Sequence, residues 1–598
     1  MILRVWAPVA RDVQLQIAGE RLAMTPTDRG WWTVETPLAK PGAHYAFVVD
    51  GAEPPLPDPR AQSQPHGVHG PSRFIDHAAF NWTDAHWNAP PLESAIVYEL
   101  HIGTFTTAGT FDTAIDRLAH LTDLGVTHVE LMPVAEFSGD RGWGYDGVDL
   151  FAPHHTYGGP DGLKRLVDAC HARGLAVLID VVYNHLGPSG NYLPCFGPYL
   201  TNHYATPWGD AINFDDRGSD EVRRLFCDNA LMWMRDYHFD GARIDAVHAI
   251  IDASATHFLE QLADEVATLE RQLGRRLVLI AESDLNDPRV VKPTEIGGYG
   301  ITAQWSDDFH HALHTVLTGE RTGYYEDFGA DIEPDLAKDF GQSSGKSFGP
   351  IADLAKALTQ AWVYDGRYSK HRGRRHGRSP AGLSGHKFLG YAQTHDQIGN
   401  RANGDRSGHL MNPGRLKIAA ALVLTSPFVP MLFQGEEWAA ATPFLYFAGH
   451  PEPELARAVS EGRKREFAAF GWDPNKIPDP QALETFMRSK LDWTELDRDP
   501  HRSLLQWHRD LIRLRAQMPE LRDGRMDLVS VAFDEGARWL TVTRGRVMVA
   551  CNLASGTQSI PLASSSPHRL AMSSDARITV APSAIELMPD SVAILVQS

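Results

Sequence analysis

The sequence predicts an α/β fold: a closed (β/α)8 barrel of the TIM type, flanked by N-terminal and C-terminal β-sandwich domains. Three observations carry that expectation. Short apolar runs alternate with amphipathic helical stretches from about residue 93 onward, and eight strand candidates can be counted. No Gly-rich phosphate loop follows any of them, which favours a closed barrel over an open doubly wound sheet. On either side the text turns to β-branched and aromatic segments separated by Gly, Pro and Asp.

Residues 1–88 read as the first sandwich, built from LRVWAP, VQLQI, WWTVETP and HYAFVVDG. Within them PPLPDPRAQSQPHG (54–67) reads as an extended connector. Residues 89–524 hold the barrel. Its candidate strands are IVYEL (96–100), VTHVELMPV (126–134), AVLIDVV (176–182), DGARID (240–245), LVLIAE (277–282), ITAQWS (301–306), FLGYAQ (388–393) and VPMLFQG (429–435). FDTAIDRLAHLTDLG, GLKRLVDACHARG and DEVRRLFCDNALMWMRDYH have apolar residues at helical spacing, and the first two end in a Gly stop. Residues 525–598 (MDLVSVAF, RWLTVTRG, RVMVACNLAS, ARITVA, SVAILVQS) read as a second antiparallel domain. The basic run SKHRGRRHGRS (369–379) reads as a mobile solvated loop, with a loop on the substrate rim as the alternative.

Bulk properties exclude several function classes. At 598 residues with 43% hydrophobic content, the chain can bury a large core. A net charge of -19 argues against nucleic acid or an anionic membrane as partner and is indifferent to a neutral ligand. Four scattered cysteines do not make a disulfide framework. The N-terminus alternates like a strand and lacks the pattern of a signal peptide, and no apolar run is long enough to span a bilayer. A cytoplasmic protein is expected.

In such barrels the chemistry sits at the C-terminal strand ends. Strand three ends in Asp180, followed by Asn184 and His185. Strand four ends in Arg243 and Asp245, with His248 beyond; strand five ends in Glu282; His395 and Asp396 follow strand seven. One carboxylate on such a rim is commonly structural. Four from different strands would repel and raise one another's pKa unless used. Arg243, two residues before Asp245, shares its face and can hold it ionised. Glu282 has no adjacent cation in sequence and can stay protonated. Two carboxylates with split protonation suit glycosidic cleavage through an oxocarbenium-like state.

DVVYNH (180–185), GARIDAVH (241–248), IAESD (280–284) and QTHDQ (393–397) resemble, in order and strand placement, the four signature regions of the α-amylase family of glycoside hydrolases. The resemblance covers about residues 90–525, and VWAPVA resembles the sandwich that precedes the barrel in starch-branching, debranching and trehalose-releasing members. It implies Asp245 as nucleophile, Glu282 as general acid/base and Asp396 as the carboxylate that grips the sugar hydroxyls and stabilises the transition state. It also implies that Tyr145, His185, Arg243 and His395 position the scissile glucose, and that Asp180 orients Arg243. ESDLNDPR (282–289), QWSDDFHHALH (304–314), THDQIGNRANGDR (394–406) and FQGEEWAAATPFLYF (433–447) are similar to the members that cut the α-1,4 bond next to a terminal trehalose of maltooligosyl trehalose. By that likeness Asp307, Asp308, Phe309, His310 and His311, and His395, Gln397 and Asn400, line the substrate groove, with His248 among the binding residues. A synthase that makes the trehalose-ended substrate is implied metabolically.

No cofactor or metal is expected. His310, His311 and His314 have a spacing that zinc sites use, but they follow strand six, where sugar contacts are expected. The segment 186–220 offers no obvious calcium cluster. Trp143, Trp208, Trp305, Trp438 and Trp472 are candidate sugar platforms, with core packing the blander alternative for each. Three other readings stay open on the residues alone: an α-1,4-glucan branching enzyme, a debranching enzyme and a non-catalytic glucan-binding protein, the last disfavoured by the split carboxylate pair.

Overall fold

The computed structural model describes residues 2–329, 349–469, 473, 476–562 and 567–597. Its centre is a closed barrel of eight parallel strands, arranged around the barrel in chain order. They are Val97–Leu100, His128–Leu131, Ala176–Val181, Gly241–Ile244, Val278–Ala281, Ala303–Trp305, Phe388–Gly390 and Val429–Phe433, called strands one to eight below. Every residue in them is buried. That is why they read as continuous apolar runs and not as alternating ones. Leu178, Val278, Ile280, Ala303, Leu389 and Met431 are among the residues that fill the interior as one cluster.

The helices lie where the apolar spacing put them, with two adjustments. The stretch expected as one helix at 111–125 is two, Phe111–Ile115 and Leu118–Leu124. Between them the Arg117 guanidinium lies 4.5 Å from the centre of the Trp493 ring. Gly125 then stops the second helix at φ 98°, as its sequence position suggested. The helix Gly159–His171 begins three residues before the expected stretch, with Pro160 in its first turn.

The basic run 369–379 is anchored at Ser369, Arg372 and His376, while Lys370, His371, Arg374 and Arg375 are exposed. Tyr368–Ser369 pairs antiparallel with Arg374–Arg375. Ser369 is buried and donates to Asp327 Oδ2 at 2.6 Å, Arg372 donates to Asp284 Oδ2 at 3.1 Å, and His376 Nε2 donates to the Asp284 carbonyl at 2.6 Å. Fixed carboxylates hold what sequence reading treated as solvated charge.

Ahead of the barrel, two sheets form, one of three strands and one of four, from residues between Ile2 and Arg73. Val13, Leu15, Ile17 and Phe47 are buried in the four-stranded sheet. Trp31 Nε1 donates to Glu221 and Arg60 to Asp228, which ties these sheets to the barrel helix Ser219–Asp236. Beyond the barrel, sheets of five and three strands cover Val529–Gln597. Buried Arg544 donates to the carbonyls of Thr425 and Ser426, which precede strand eight. No described helix is long and apolar enough to cross a membrane.

Candidate active site

Arg243 is the hub of the strand-end cluster. It is fully buried on strand four, where a guanidinium needs counter-charges. Its Nη1 donates to both oxygens of Asp180, at 2.9 and 2.8 Å, and to Asp245 Oδ1 at 2.7 Å. Its Nη2 lies 3.4 Å from Glu282 Oε2. Asp180 faces it because strands three and four pair at that register. The Trp305 ring lies 4.4 Å from the guanidinium carbon.

This geometry corrects one sequence expectation and leaves its consequence intact. Glu282 does have a cation beside it, delivered across the barrel by strand four. Burial nonetheless holds its carboxyl well above the ordinary range; Arg243 pulls it down, and the charges of Asp245, Asp396 and Asp307 push it back up. The Ala246 N–H donates to Glu282 Oε2 at 2.5 Å, from a residue in the left-handed region at φ 39°. Asp245 is shifted the other way. Burial alone would raise its carboxyl, but Arg243, the Asn184 amide at 2.8 Å and His185 outweigh burial and hold it below the ordinary value. One guanidinium thus lies between two carboxyls shifted in opposite directions, its short contact going to Asp245.

Tyr145, His185 and His395 close the ring around this pair. Tyr145 donates to Asp180 Oδ2 at 2.7 Å, and its oxygen lies 2.8 Å from His395 Nε2. His185 hydrogen-bonds Asn184 through Nδ1 and donates from Nε2 to the Tyr145 carbonyl at 3.0 Å. Trp208, 48% exposed, stacks on His185 with ring centres 4.5 Å apart. It is the one of the four described tryptophan candidates with an open face. Trp143, Trp305 and Trp438 are buried, and Trp472 lies outside the described residues. Asp396 is more open than Asp245 and Glu282, its side chain 40% exposed and 3.5 Å from His395 Nε2.

The expected groove residues divide according to helix geometry. A cleft of about 290 Å³ is lined by Asp284, Asp307, His311, Tyr324, His371, Arg372, Asp396, Gln397 and Asn400. Asp307 and His311, one turn apart on the helix Asp307–Thr318, reach it. Asp308, Phe309 and His310 do not line it, which corrects the expectation for those three. Asp308 Oδ2 accepts the N–H groups of Val363 and Tyr364, both at 2.7 Å, and the Asn286 amide at 2.9 Å. Phe309 is in the core against Phe428. His310 is buried and meets the Tyr325 hydroxyl at 3.0 Å. Burial, reinforced by Asp284 and Asp396, lifts the Asp307 carboxyl to about 7 against the hydrogen bond from Tyr391. Gln397 Oε1 caps its own short helix by accepting from Thr394 N. His248 is exposed on the turn after strand four, and its charge acts on Asp284.

Sequence reading passed over Glu99 on strand one, which meets His395 from below at 2.5 Å, and the rim residues Asp284, Tyr324 and Arg372. Glu99 carried the same signal as the others, an acid inside an apolar strand. Among the described residues one group, Glu136, His154 and His155, brings metal-ligand atom types together. His155 Nδ1 is already paired with Glu136 at 2.7 Å. His154 Nδ1 accepts from Thr156 N–H, so the neutral ring carries its proton on Nε2 and offers no lone pair there. His310, His311 and His314 are not part of it.

A barrel of this order with an arginine-linked Asp/Glu pair at its C-terminal rim defines an α-amylase-type glycoside hydrolase, and residues 70–194 match the family described as alpha amylase, catalytic domain. The chain is 50% identical over 565 residues to the malto-oligosyltrehalose trehalohydrolase of Mycobacterium tuberculosis, covering 94% of this chain and 93% of the relative. It is 47% identical to that of a Rhizobium strain, covering 99% and 97%. The chain belongs to the malto-oligosyltrehalose trehalohydrolase family. A Salmonella typhimurium protein of known crystal structure superposes with a TM-score of 0.89 at 36% identity, covering 100% of this chain and 97% of that one.

Proposed function

We propose that this enzyme hydrolyses the α-1,4-glucosidic bond next to the terminal trehalose of maltooligosyl trehalose, releasing free trehalose. The observation that carries the hydrolytic reading is the opposite displacement of Asp245 and Glu282 around Arg243. Family membership supports the substrate.

In this reading the ionised Asp245 attacks the anomeric carbon as the bond to the trehalose 4-oxygen breaks. Glu282 gives its proton to that oxygen, trehalose leaves, and a glycosyl ester remains on Asp245. Glu282, now ionised, takes a proton from water as the water attacks the ester carbon and frees Asp245, so the anomeric configuration is retained. Asp396 binds the hydroxyls of the reacting glucose and Tyr145 stacks beneath it, held in place by the His185 and His395 rings. The cleft beside Asp396, rich in Asp, His, Arg and Asn, suits the hydroxyl groups of the departing disaccharide.

Incubation with maltotriosyl trehalose tests the reading. The expected products are free trehalose and maltotriose in equal amounts. New α-1,6 branches on amylose, without trehalose release, would overturn it in favour of glycosyl transfer.

A further inference from the structure

Glu99 lies on strand one with its side chain 1% exposed. Its Oε1 is 2.5 Å from His395 Nδ1, and its Oε2 accepts the His395 backbone N–H at 3.1 Å. On the far side of the ring, Nε2 is 2.8 Å from the Tyr145 hydroxyl oxygen and 3.5 Å from Asp396 Oδ1. The single phenolic proton of Tyr145 is committed to Asp180 at 2.7 Å, so the Tyr145 oxygen accepts from the ring. Each ring nitrogen therefore faces an acceptor.

We propose that Glu99 is a positioning residue: it fixes His395 as a doubly protonated imidazolium whose Nε2–H is aimed at Tyr145 and Asp396. The directions of the chain then follow without choice. His395 donates to Glu99 and to Tyr145, Tyr145 donates to Asp180, and Arg243 donates to Asp180 and Asp245. A buried acid on strand one is thereby linked to the nucleophile on strand four.

The surroundings of the ring agree. Burial would lower the His395 pKa and Arg243 opposes its charge, yet Glu99 and Asp396 raise it to about 9; nearby His101, lowered to about 3 chiefly by burial, adds no opposing charge. Glu130 faces Glu99 directly across strands one and two. It is 1% exposed with neither carboxylate oxygen hydrogen-bonded. Burial and the Glu99 charge hold the Glu130 carboxyl well above the ordinary range, and of the two facing acids it is Glu99 whose oxygens meet the ring.

The inference draws on the hydrolase reading only for its activity arm. The ring itself is observed in the full chain labelled with ¹⁵N-histidine, the His395 signal being the one lost in His395→Asn. At pH 7.5 both ring nitrogens are expected protonated in the native enzyme, without substrate. In Glu99→Gln the ring is expected to lose its proton about two pH units lower. Its kcat/KM is expected within about threefold of the native value at pH 5.5 and down at least tenfold at pH 8.5. Glu130→Gln, which leaves the Glu99 contacts to the ring in place, is expected to leave the ring protonated. A single-tautomer neutral ring in the native enzyme would overturn the proposal even if Glu99→Gln does not fold. So would a Glu99→Gln loss equal at every pH, which a merely structural role would give. If trehalose is not released but the ring is doubly protonated, the function reading fails and this one stands.

Discussion

Arg243 Nη1 lies 2.7 Å from Asp245 Oδ1, and the other terminal nitrogen of the same guanidinium lies 3.4 Å from Glu282 Oε2. The cation is not shared equally. The shorter contact, with the Asn184 amide, holds the Asp245 carboxyl below its ordinary value, while burial and three neighbouring carboxylates hold Glu282 well above its own. The expected consequences can be measured.

Asp245→Asn keeps the size and the Asn184 contact of the side chain but removes the attacking oxygen anion. Turnover of maltotriosyl trehalose is expected to fall by roughly four orders of magnitude, about 5.5 kcal/mol of transition-state stabilisation. Binding measured by calorimetry is expected to persist. Substantial residual turnover would sink the nucleophile assignment.

Arg243→Lys replaces the guanidinium, whose Nη1 bridges Asp180 and Asp245, by an ammonium on a shorter stem that cannot keep all of these contacts. The cation then lies farther from Asp245, whose pKa rises. Because the ionised form reacts, the acid limb of kcat/KM is expected to move to higher pH. Leaving buried carboxylates poorly paired is also expected to cost stability, about 3–5 kcal/mol. A pH–rate profile and a denaturant melt check the two effects separately.

Asp307 and Asp308 are adjacent in sequence and differ in task. Asp308→Ala strands three donors, those of Val363, Tyr364 and Asn286, at about 1–3 kcal/mol each. It is expected to lower the melting temperature with little change in KM. Asp307→Ala is expected to do the reverse, raising KM about tenfold with a smaller stability loss. Equal KM effects would contradict the division of the helix into a cleft face and a core face.

Gly144 precedes Tyr145 at φ 101°, and a Cβ there would stand 2.1 Å from the Pro133 carbonyl oxygen. Gly144→Ala combines that clash with the strain of a left-handed conformation, about 1–2 kcal/mol. The turn has to shift, and Tyr145 shifts with it. A drop in kcat/KM of about a hundredfold is expected, larger than the loss in stability explains. Unchanged kinetics would show that the turn carries no positioning role.

At the opposite end of the barrel, His171 lies between Asp84 at 2.7 Å and Asp240 at 3.0 Å. Burial would lower its pKa, but these two carboxylates raise it above the ordinary value. The folded pKa lies above the unfolded one, near 6.5. The pair's contribution is therefore complete below about pH 6.5 and is lost as pH rises through the folded value. The native protein is expected to exceed His171→Gln in melting temperature at pH 6, with the gap narrowing at higher pH. A gap that widens with pH would contradict this sign.

The barrel and the cluster of strand-end acids were legible in the sequence for a physical reason. A strand buried on both faces must be apolar, so an acid at its end stands out. Four such ends in register with four signature segments marked the site before any coordinates. The groove residues were less legible. Segment 307–311 carried the right residue types, but only its placement on a helix showed that Asp307 and His311 reach the cleft while Asp308, Phe309 and His310 turn into the protein. The basic run at 369–379 looked solvated because its partners, Asp284 and Asp327, lie more than forty residues away in sequence.

By itself, then, the sequence determined which residue types stand at which strand ends, and so the class of reaction. The tertiary structure decided their protonation. That depends on distances between groups on different strands: Arg243 to Glu282 on neighbouring strands four and five, and Glu99 on strand one to His395 beyond strand seven, with strand eight between them. Charge falls off with distance and rises with burial, and neither quantity is written along the chain.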